Sequence, residues 1–357
     1  MILSRGYKIG DKLPTYRDLA EHLGIAVRTV ERVMRDLSEK GIVQLLHGKG
    51  AFVTKLPVLA GRLAEVGLVY PASRLHLLRT GYLTEILAGV IIECDLQHVG
   101  LQIVAFRESG RPAYAPVAPR ELARRIDGIL LLEVVNDRYI AEFAQEAIPL
   151  VLVDAQTAAA PLHSVCVDNA GAVRQIMDHL HALGHRRIAY VDALAEDPLA
   201  RPNEPRWIDS PDGRERRDAY LAELRRLNLD YQRIYTPAGG ELPAMAREVV
   251  AQIQRERHRP TALLAFDEPL AASLCEVLPV DMHVPQAISV AGAVAARGGS
   301  PAAGFVVTTS IADFEAMGRT AMELLQAQAT GRSLAAPTLR RIGTTFRPGT
   351  STAPPAN

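Results

Sequence analysis

Three arginines on one helical stripe carry the plainest chemical signal in the chain. Arg28, Arg32 and Arg35 recur at i, i+4 and i+7, and at 100° per residue they share a face. Val30, Val33, Met34 and Leu37 fall on the opposite side. A guanidinium stripe on a short helix can donate to phosphates and to base edges in a DNA major groove. A solvated basic face is the competing structural reading. Lys49 adds a cation in the run Gly48-Lys49-Gly50, whose glycines let the backbone approach a phosphate. That run lacks P-loop spacing and lies between two strand-like segments, so it is not a nucleotide cradle. His179, His181 and His185 raise the question of metal binding. His179 and His181 are two residues apart on a helix and face different directions, so no metal site is expected. No GxSxG, HExxH or Walker motif occurs, and neither catalysis nor a cofactor is expected.

The elements that must hold these groups are legible nearby. Thr15 and Asp18 have capping-box spacing, Leu19, Ala20 and Leu23 give a short helix its apolar side, and Gly24 ends it. A second helix is expected from Val27 to Lys40, followed by Gly41. Two short helices joined by a tight turn, the second carrying the arginines, make a helix-turn-helix. The runs 42–46 and 51–54, joined by His47-Gly48-Lys49-Gly50, read as a β-hairpin, which directly after a recognition helix is a wing. Residues 1–55 contain 10 Lys+Arg and 6 Asp+Glu, leaving 30 against 34 for the remainder. A head at +4 on a body at −4 fits a nucleic-acid-binding head.

Beyond a linker at 56–64 the pattern changes. Strand-like runs at 67–70, 101–106, 128–132, 149–154, 164–167, 187–191, 262–266, 288–293 and 306–309 alternate with helical stretches of about 10–18 residues. Apolar strands alternating with helices mean parallel sheets covered on both faces, and such folds bind ligands at the carboxyl ends of their strands. The 48% hydrophobic content supports a packed core. Cys94, Cys166 and Cys275 are far apart within apolar runs and read as buried free thiols in a reducing compartment. The first residues lack a long apolar stretch, and no run approaches the ~18 apolar residues of a membrane span. A cytoplasmic protein with no membrane association is expected.

The head resembles the GntR-type winged helix in Gly10-Asp11-Lys12-Leu13-Pro14-Thr15-Tyr16-Arg17-Asp18-Leu19-Ala20, in Arg28-Thr29-Val30 and in Gly48-Lys49-Gly50-Ala51-Phe52-Val53. The resemblance implies DNA contacts from Thr15, Tyr16 and Arg17, from Arg28 and Thr29, and from His47, Gly48, Lys49 and Gly50. Glu31 stands where many members carry arginine, with Arg32 as the candidate substitute. The helix that opens this domain in relatives is mostly missing, which implies either a start upstream of Met1 or a head less stable than usual.

The body resembles the effector domain of the LacI/GalR regulators, itself similar to periplasmic sugar-binding proteins. The matching stretches are Val66-Gly67-Leu68-Val69-Tyr70-Pro71, Asp127-Gly128-Ile129-Leu130, Ile148 through Asp154, Val167-Asp168-Asn169 through His179-Leu180, Leu183-Gly184-His185-Arg186-Arg187-Ile188, Ala265-Phe266-Asp267 and Ile288-Ser289-Val290-Ala291-Gly292. The resemblance implies a small α+β winged helix-turn-helix (1–55) followed by an α/β two-lobed, periplasmic-binding-protein-like domain with parallel sheets (65–345). Residues 346–357 are expected to be a disordered tail. Ligand contacts carried over by position are Tyr82, Asp154, Asp168, Arg214, Arg216 and Asp267, with Arg216 preferred to Arg214. Asp168 and Asp267 read equally well as helix caps, and Tyr82 as core. The aspartate that follows the strand 288–292 in sugar-binding relatives is absent, its place taken by Ala293-Val294-Ala295-Ala296. Glu241 is the candidate to compensate, and the effector could be a sugar, another polyol, a sugar phosphate or an acid. The function expected is a homodimeric repressor of double-stranded operator DNA, controlled by a small, sugar-like effector. The alternatives are a regulator acting without effector and, behind it, a solute-binding protein.

Overall fold

A computed structural model describes residues 10–39, 41–46, 48–54, 63–71, 81–106, 118–134, 136–146, 148–196, 207–208, 210–299, 304–331 and 336–356. The head begins with α1 (Tyr16–Leu23), started by a capping box in which Asp18 N–H donates to Thr15 Oγ1 and Thr15 N–H to Asp18 Oδ2. It continues through α2 (Val27–Glu39) into a hairpin of β1 (Val43–Leu46) and β2 (Gly50–Val53), paired antiparallel with Leu46 opposite Gly50. Leu13, Leu19, Ala20, Val30, Met34, Val43, Ala51 and Val53 form its small core. Val33, read from periodicity as part of that core, is instead 45% exposed. So small a domain has only one turn of the stripe covered by α1 and the hairpin.

The body is built from two six-stranded sheets. In the first lobe, β3 (Glu65–Pro71), α3 (Tyr82–Gln97), β4 (Gly100–Phe106), α4 (Pro119–Ala123), β5 (Gly128–Leu132), α5 (Asp137–Ala144), β6 (Leu150–Val153) and β7 (His163–Val167) follow in order. The chain then crosses to the second lobe with α6 (Asn169–Ala182), β8 (Ile188–Val191), the short pair β9 (Ala195–Glu196) and β10 (Trp207–Ile208), α7 (Pro211–Arg226), β11 (Ile234–Tyr235), α8 (Leu242–Gln254), β12 (Ala262–Ala265), α9 (Glu268–Val277), β13 (Ser289–Ala295) and β14 (Thr308–Ala312). A second crossing leads to α10 (Phe314–Ala329) and β15 (Leu339–Ile342), which return to the first lobe. A third, at Gly343, leads to β16 (Thr344–Arg347) in the second.

The strand orders are β15-β7-β6-β5-β3-β4, wholly parallel, and β11-β8-β12-β13-β14-β16, parallel except for β16. Strands β5, β6, β7, β8, β12 and β13 are buried at every residue, as expected of sheets covered by helices on both faces. All nine strand-like runs of the body are present, within one to three residues. Helices α3 and α10 cross so closely that a Cβ on Gly89 would lie 2.0 Å from the Glu315 carbonyl oxygen, and one on Gly318 2.2 Å from that of Ile86.

Two expected boundaries are corrected. Leu63 is 1% exposed, and Asp127 accepts hydrogen bonds from the Ala64 and Glu65 amides, so the body begins before residue 65. The tail expected to be disordered is packed onto the second lobe as far as Ala353. Ser351 is fully buried, its Oγ donating to the Val290 carbonyl at 2.6 Å and accepting from the Thr308 amide at 2.9 Å. Its proline, serine and threonine content suggested a segment unable to bury a core. The hydroxyls instead satisfy polar groups at the ends of β13 and β14. Among the described residues no helix is long and apolar enough to cross a membrane.

Candidate functional site

The head surface follows from how α2 is held. Val30 and Met34 pin one face to the head core, which leaves Arg28, Thr29, Arg32 and Arg35 exposed. Arg17 is exposed at the start of α1, beside the capping residue Thr15, while Tyr16 is half-buried against the head core. At the wing tip Gly48 and Gly50 have φ of +71° and +104°, a conformation that side chains rarely adopt. They expose Lys49, whose amide closes the turn onto the Leu46 carbonyl at 3.0 Å. His47 lies outside the described residues. The exposed cations of α2 and the wing tip thus form a surface with the chemistry of a phosphate- and base-reading face.

The second site is a cleft of about 520 Å³, counting the space open to solvent, where the carboxyl ends of strands from both sheets converge. The first lobe contributes Tyr82 at the start of α3, Glu133 after β5, Asp154 after β6 and Phe314 at the start of α10. The second contributes Asp212 and Arg216 on α7, the corner Phe266-Asp267-Glu268-Pro269, and Val294-Ala295-Ala296 at the end of β13.

Arg216 is the centre of the polar wall. It is 4% exposed. Its Nε donates to Asn169 Oδ1 at 2.8 Å and Nη1 to the Phe266 carbonyl at 2.9 Å, Asp212 lies 3.6 Å from Nη2, and its guanidinium sits 4.2 Å above the Phe266 ring. The held guanidinium still has N–H groups to offer, since five are available on the fork. Asn169 in turn donates to Glu215 Oε2 at 2.8 Å, and Glu215 receives Arg341 in bidentate fashion at 2.5 and 2.6 Å and Gln156 at 2.8 Å. Those donors hold the Glu215 carboxyl below the usual carboxylate range.

Across the cleft the Tyr82 hydroxyl donates to Asp154 Oδ2 at 2.7 Å, and its ring stands edge-on to Phe314 with centroids 4.7 Å apart. Burial, with Asp212 and Glu133 nearby, pushes the Asp154 carboxyl up to about 7. Burial also raises Asp267, against a hydrogen bond received from the Leu270 amide. Glu268 is not available in the same way, because Arg347 donates to it at 2.5 Å.

Of the ligand contacts expected from sequence, Tyr82, Asp154, Arg216 and Asp267 are brought together. Three are not. Asp168 caps α6, accepting from the Gly171 amide at 3.0 Å. Arg214, two residues from Arg216 and so turned well away on the helix, is exposed. Glu241 is exposed at the start of α8 and does not compensate for the missing aspartate. Val294, Ala295 and Ala296 do line the cleft, so the aspartate's place was located correctly and is apolar. Sequence reasoning missed Glu133, Asp212 and Glu268. Asp212 could have been found from Arg216, four residues on along the same helix, and Glu133 from its position just after a buried strand. The histidines serve the tail: His179 bonds Thr352 at 2.9 Å, and His185 bonds Thr261, Ser289 and the Ala353 carbonyl. Burial lowers both.

Residues 1–53 match the bacterial regulatory proteins of the gntR family, and residues 177–352 match the periplasmic binding protein-like domain. By these matches the chain joins a gntR-type head to a periplasmic binding protein-like domain. It is similar to the arabinose metabolism transcriptional repressor of Halalkalibacterium halodurans, at 24% identity over 79% of this chain and 74% of that one. The lactose operon repressor of Escherichia coli is 24% identical over 96% and 93%. The solved structure of the lac repressor dimer bound to operator and an anti-inducer superposes with a TM-score of 0.63 at 20% identity, covering 81% of this chain and 94% of that one.

Proposed function

We propose that the protein is a transcriptional repressor that binds double-stranded operator DNA through its winged-helix head and releases it when a small, hydroxyl-bearing effector occupies the interlobe cleft. One observation carries the reading: a cleft at the strand ends of the two lobes' sheets shares a chain with an exposed arginine stripe and a lysine-tipped wing. The relatives are repressors, and one was solved on its operator with a ligand. A homodimer fits the apolar surface left at the open edge of the first lobe, where Ile91, Ile92 and Leu96 of α3 and Ile103 of the edge strand β4 are exposed. A dimer would place two heads on a two-fold operator. Within the head, Arg28, Thr29 and Arg32 are the proposed base readers, and Thr15, Tyr16, Arg17, Gly48, Lys49 and Gly50 the proposed backbone contacts.

The test uses a duplex selected by the full-length protein from a random library. Arg28→Ala is expected to lose roughly 1–3 kcal/mol and to relax selection at one base position. Lys49→Ala is expected to weaken binding to all sequences and to reduce the salt dependence, because one phosphate contact fewer lowers the log–log slope by about 0.9. Unchanged affinity and slope in both variants would remove this face from the DNA interface.

A further inference from the structure

The composition of the cleft wall discriminates among effectors more sharply than its shape does. Five carboxylates line it: Glu133, Asp154, Asp212, Asp267 and Glu268. Among the described residues Arg216 is the only cation in the lining, and Arg347 reaches Glu268 from behind. With Glu268 paired to Arg347 and Asp212 set against Arg216, Asp154 and Asp267 remain with hydroxyl and amide donors only. The other walls are apolar or aromatic: Phe266, Phe314 and the 294–296 segment, where sugar-binding relatives are expected to carry a further acid.

We propose that the effector is a protonated amine carrying hydroxyl groups, of the amino-sugar or aminocyclitol class, and not a neutral sugar, a sugar phosphate or a sugar acid. This rests on the reading of the cleft as the effector site. The ammonium group lies among Asp154, Asp212 and Asp267, where it supplies the charge that the wall lacks. A hydroxyl accepts from Arg216, and the carbon skeleton lies against Phe266, Phe314 and Val294. A phosphate or carboxylate would instead face an excess of like charge in a partly desolvated site. A neutral hydroxyl can donate to Asp154, but it leaves the charge imbalance as it was. The raised carboxyls of Asp154 and Asp267 agree with this. Each is disfavoured as an anion by burial and by its acidic neighbours, and a bound cation reverses that penalty. The groups facing Asp154 are Tyr82, Glu133, Asp212 and Arg216. An ammonium ligand that requires ionised Asp154 therefore displaces its proton, and affinity rises with pH up to about 7.

The experiment is a thermal-shift and calorimetric panel on the full-length protein at pH 7.5. The probes are glucosamine, galactosamine, mannosamine and 2-deoxystreptamine, each beside its neutral hydroxyl or N-acetyl counterpart, with the hexuronic acids as the anionic arm. The expected result is that an amine binds at least tenfold more tightly than its neutral and acidic counterparts, with proton release at pH 6. Asp154→Asn and Asp212→Asn should each reduce that preference, the ratio of amine to neutral affinity, at least tenfold. If a neutral or acidic probe binds as tightly, and Arg216→Ala abolishes that binding, the charge argument is overturned and the cleft reading stands. If no probe binds, the charge argument falls together with the cleft reading on which it rests.

Discussion

Asp154→Asn isolates the cost of holding a carboxylate in an acidic, partly closed cleft. The residue sits at φ +48°, a conformation asparagine tolerates well, and the amide oxygen can still accept from Tyr82, so geometry is preserved while charge is removed. The carboxyl ionises near 3.8 in an unfolded chain and near 7 in the fold. Because the folded value is raised, the native state holds its proton more tightly than the unfolded state does. The penalty is absent below about pH 4, grows as pH rises, and is complete above pH 7. At full ionisation it amounts to roughly 4 kcal/mol. Water in the open cleft screens part of that, and about 2 kcal/mol is the expected remainder. The assay is thermal unfolding of wild type and variant without ligand, from pH 5 to 8.5. Near pH 5, where roughly two fifths of the penalty is present, the variant should melt higher by only about 1.5–3 °C. By pH 8 the variant should melt higher by roughly 4–8 °C, at about 2–4 °C per kcal/mol. Parallel pH profiles would refute the reasoning, since they would mean that Asp154 ionises in the fold as it does in the unfolded chain.

Two further predictions concern the frame that positions the cleft. Gly318→Ala puts a methyl group 2.2 Å from the Ile86 carbonyl oxygen. Backbone must move to relieve it, so a loss of about 3 kcal/mol is expected in urea unfolding, and a loss under 0.5 kcal/mol would show that the two helices do not cross this closely. Ser351→Ala removes the hydroxyl shared by the Val290 carbonyl and the Thr308 amide. A cost of about 1–3 kcal/mol is expected, read as a lower melting temperature; wild-type stability would mean that the tail is not docked in solution.

The legible parts were those set by periodicity and caps. The buried strands of both lobes are short apolar runs, and a run of that kind declares itself without reference to partners. Thr15, Asp18 and Gly24 act within one helix, so their spacing suffices. What stayed hidden depends on contacts between distant segments. Strand β15 is mostly exposed and β16 mostly half-buried, with the polar sequences LRRI and TTFR, and only their neighbours β7 and β14 make them strands. Ser351 is buried because Val290 and Thr308, more than 40 residues away, require a partner. In the cleft, Arg216 and Arg214 could not be separated by type. Helical phase separates them: Gly213, Tyr220, Glu223 and Leu224 are the residues of α7 buried together with Arg216. Asp168 and Asp267 have the same sequence context, a strand end before a helix, and both do cap. Only Asp267 also borders the cleft, because β12 ends there and β7 ends at a crossing.

The site also shows how occupancy can reach the hinge. An effector alters an equilibrium only through differential affinity for its two states, so its contacts must differ between them. Arg216 is placed to make that difference. Its Nε bond ends on Asn169, the first residue of α6 after the first crossing, and Asn169 shares Glu215 with Arg341, which lies two residues before the third crossing at Gly343. Gln156, two residues after Asp154, bonds the same carboxylate from the first lobe. One guanidinium in the cleft is thus joined, through three charged or amide groups, to both lobes and to two of the three crossings. A ligand accepting from the remaining Arg216 N–H groups acts on a guanidinium that Asn169 and the Phe266 carbonyl already hold. The third crossing lies at a glycine. Hydrogen bonds among charged groups out of water are strong and directional, so such a network has few arrangements of similar energy, which is the property a two-state switch requires.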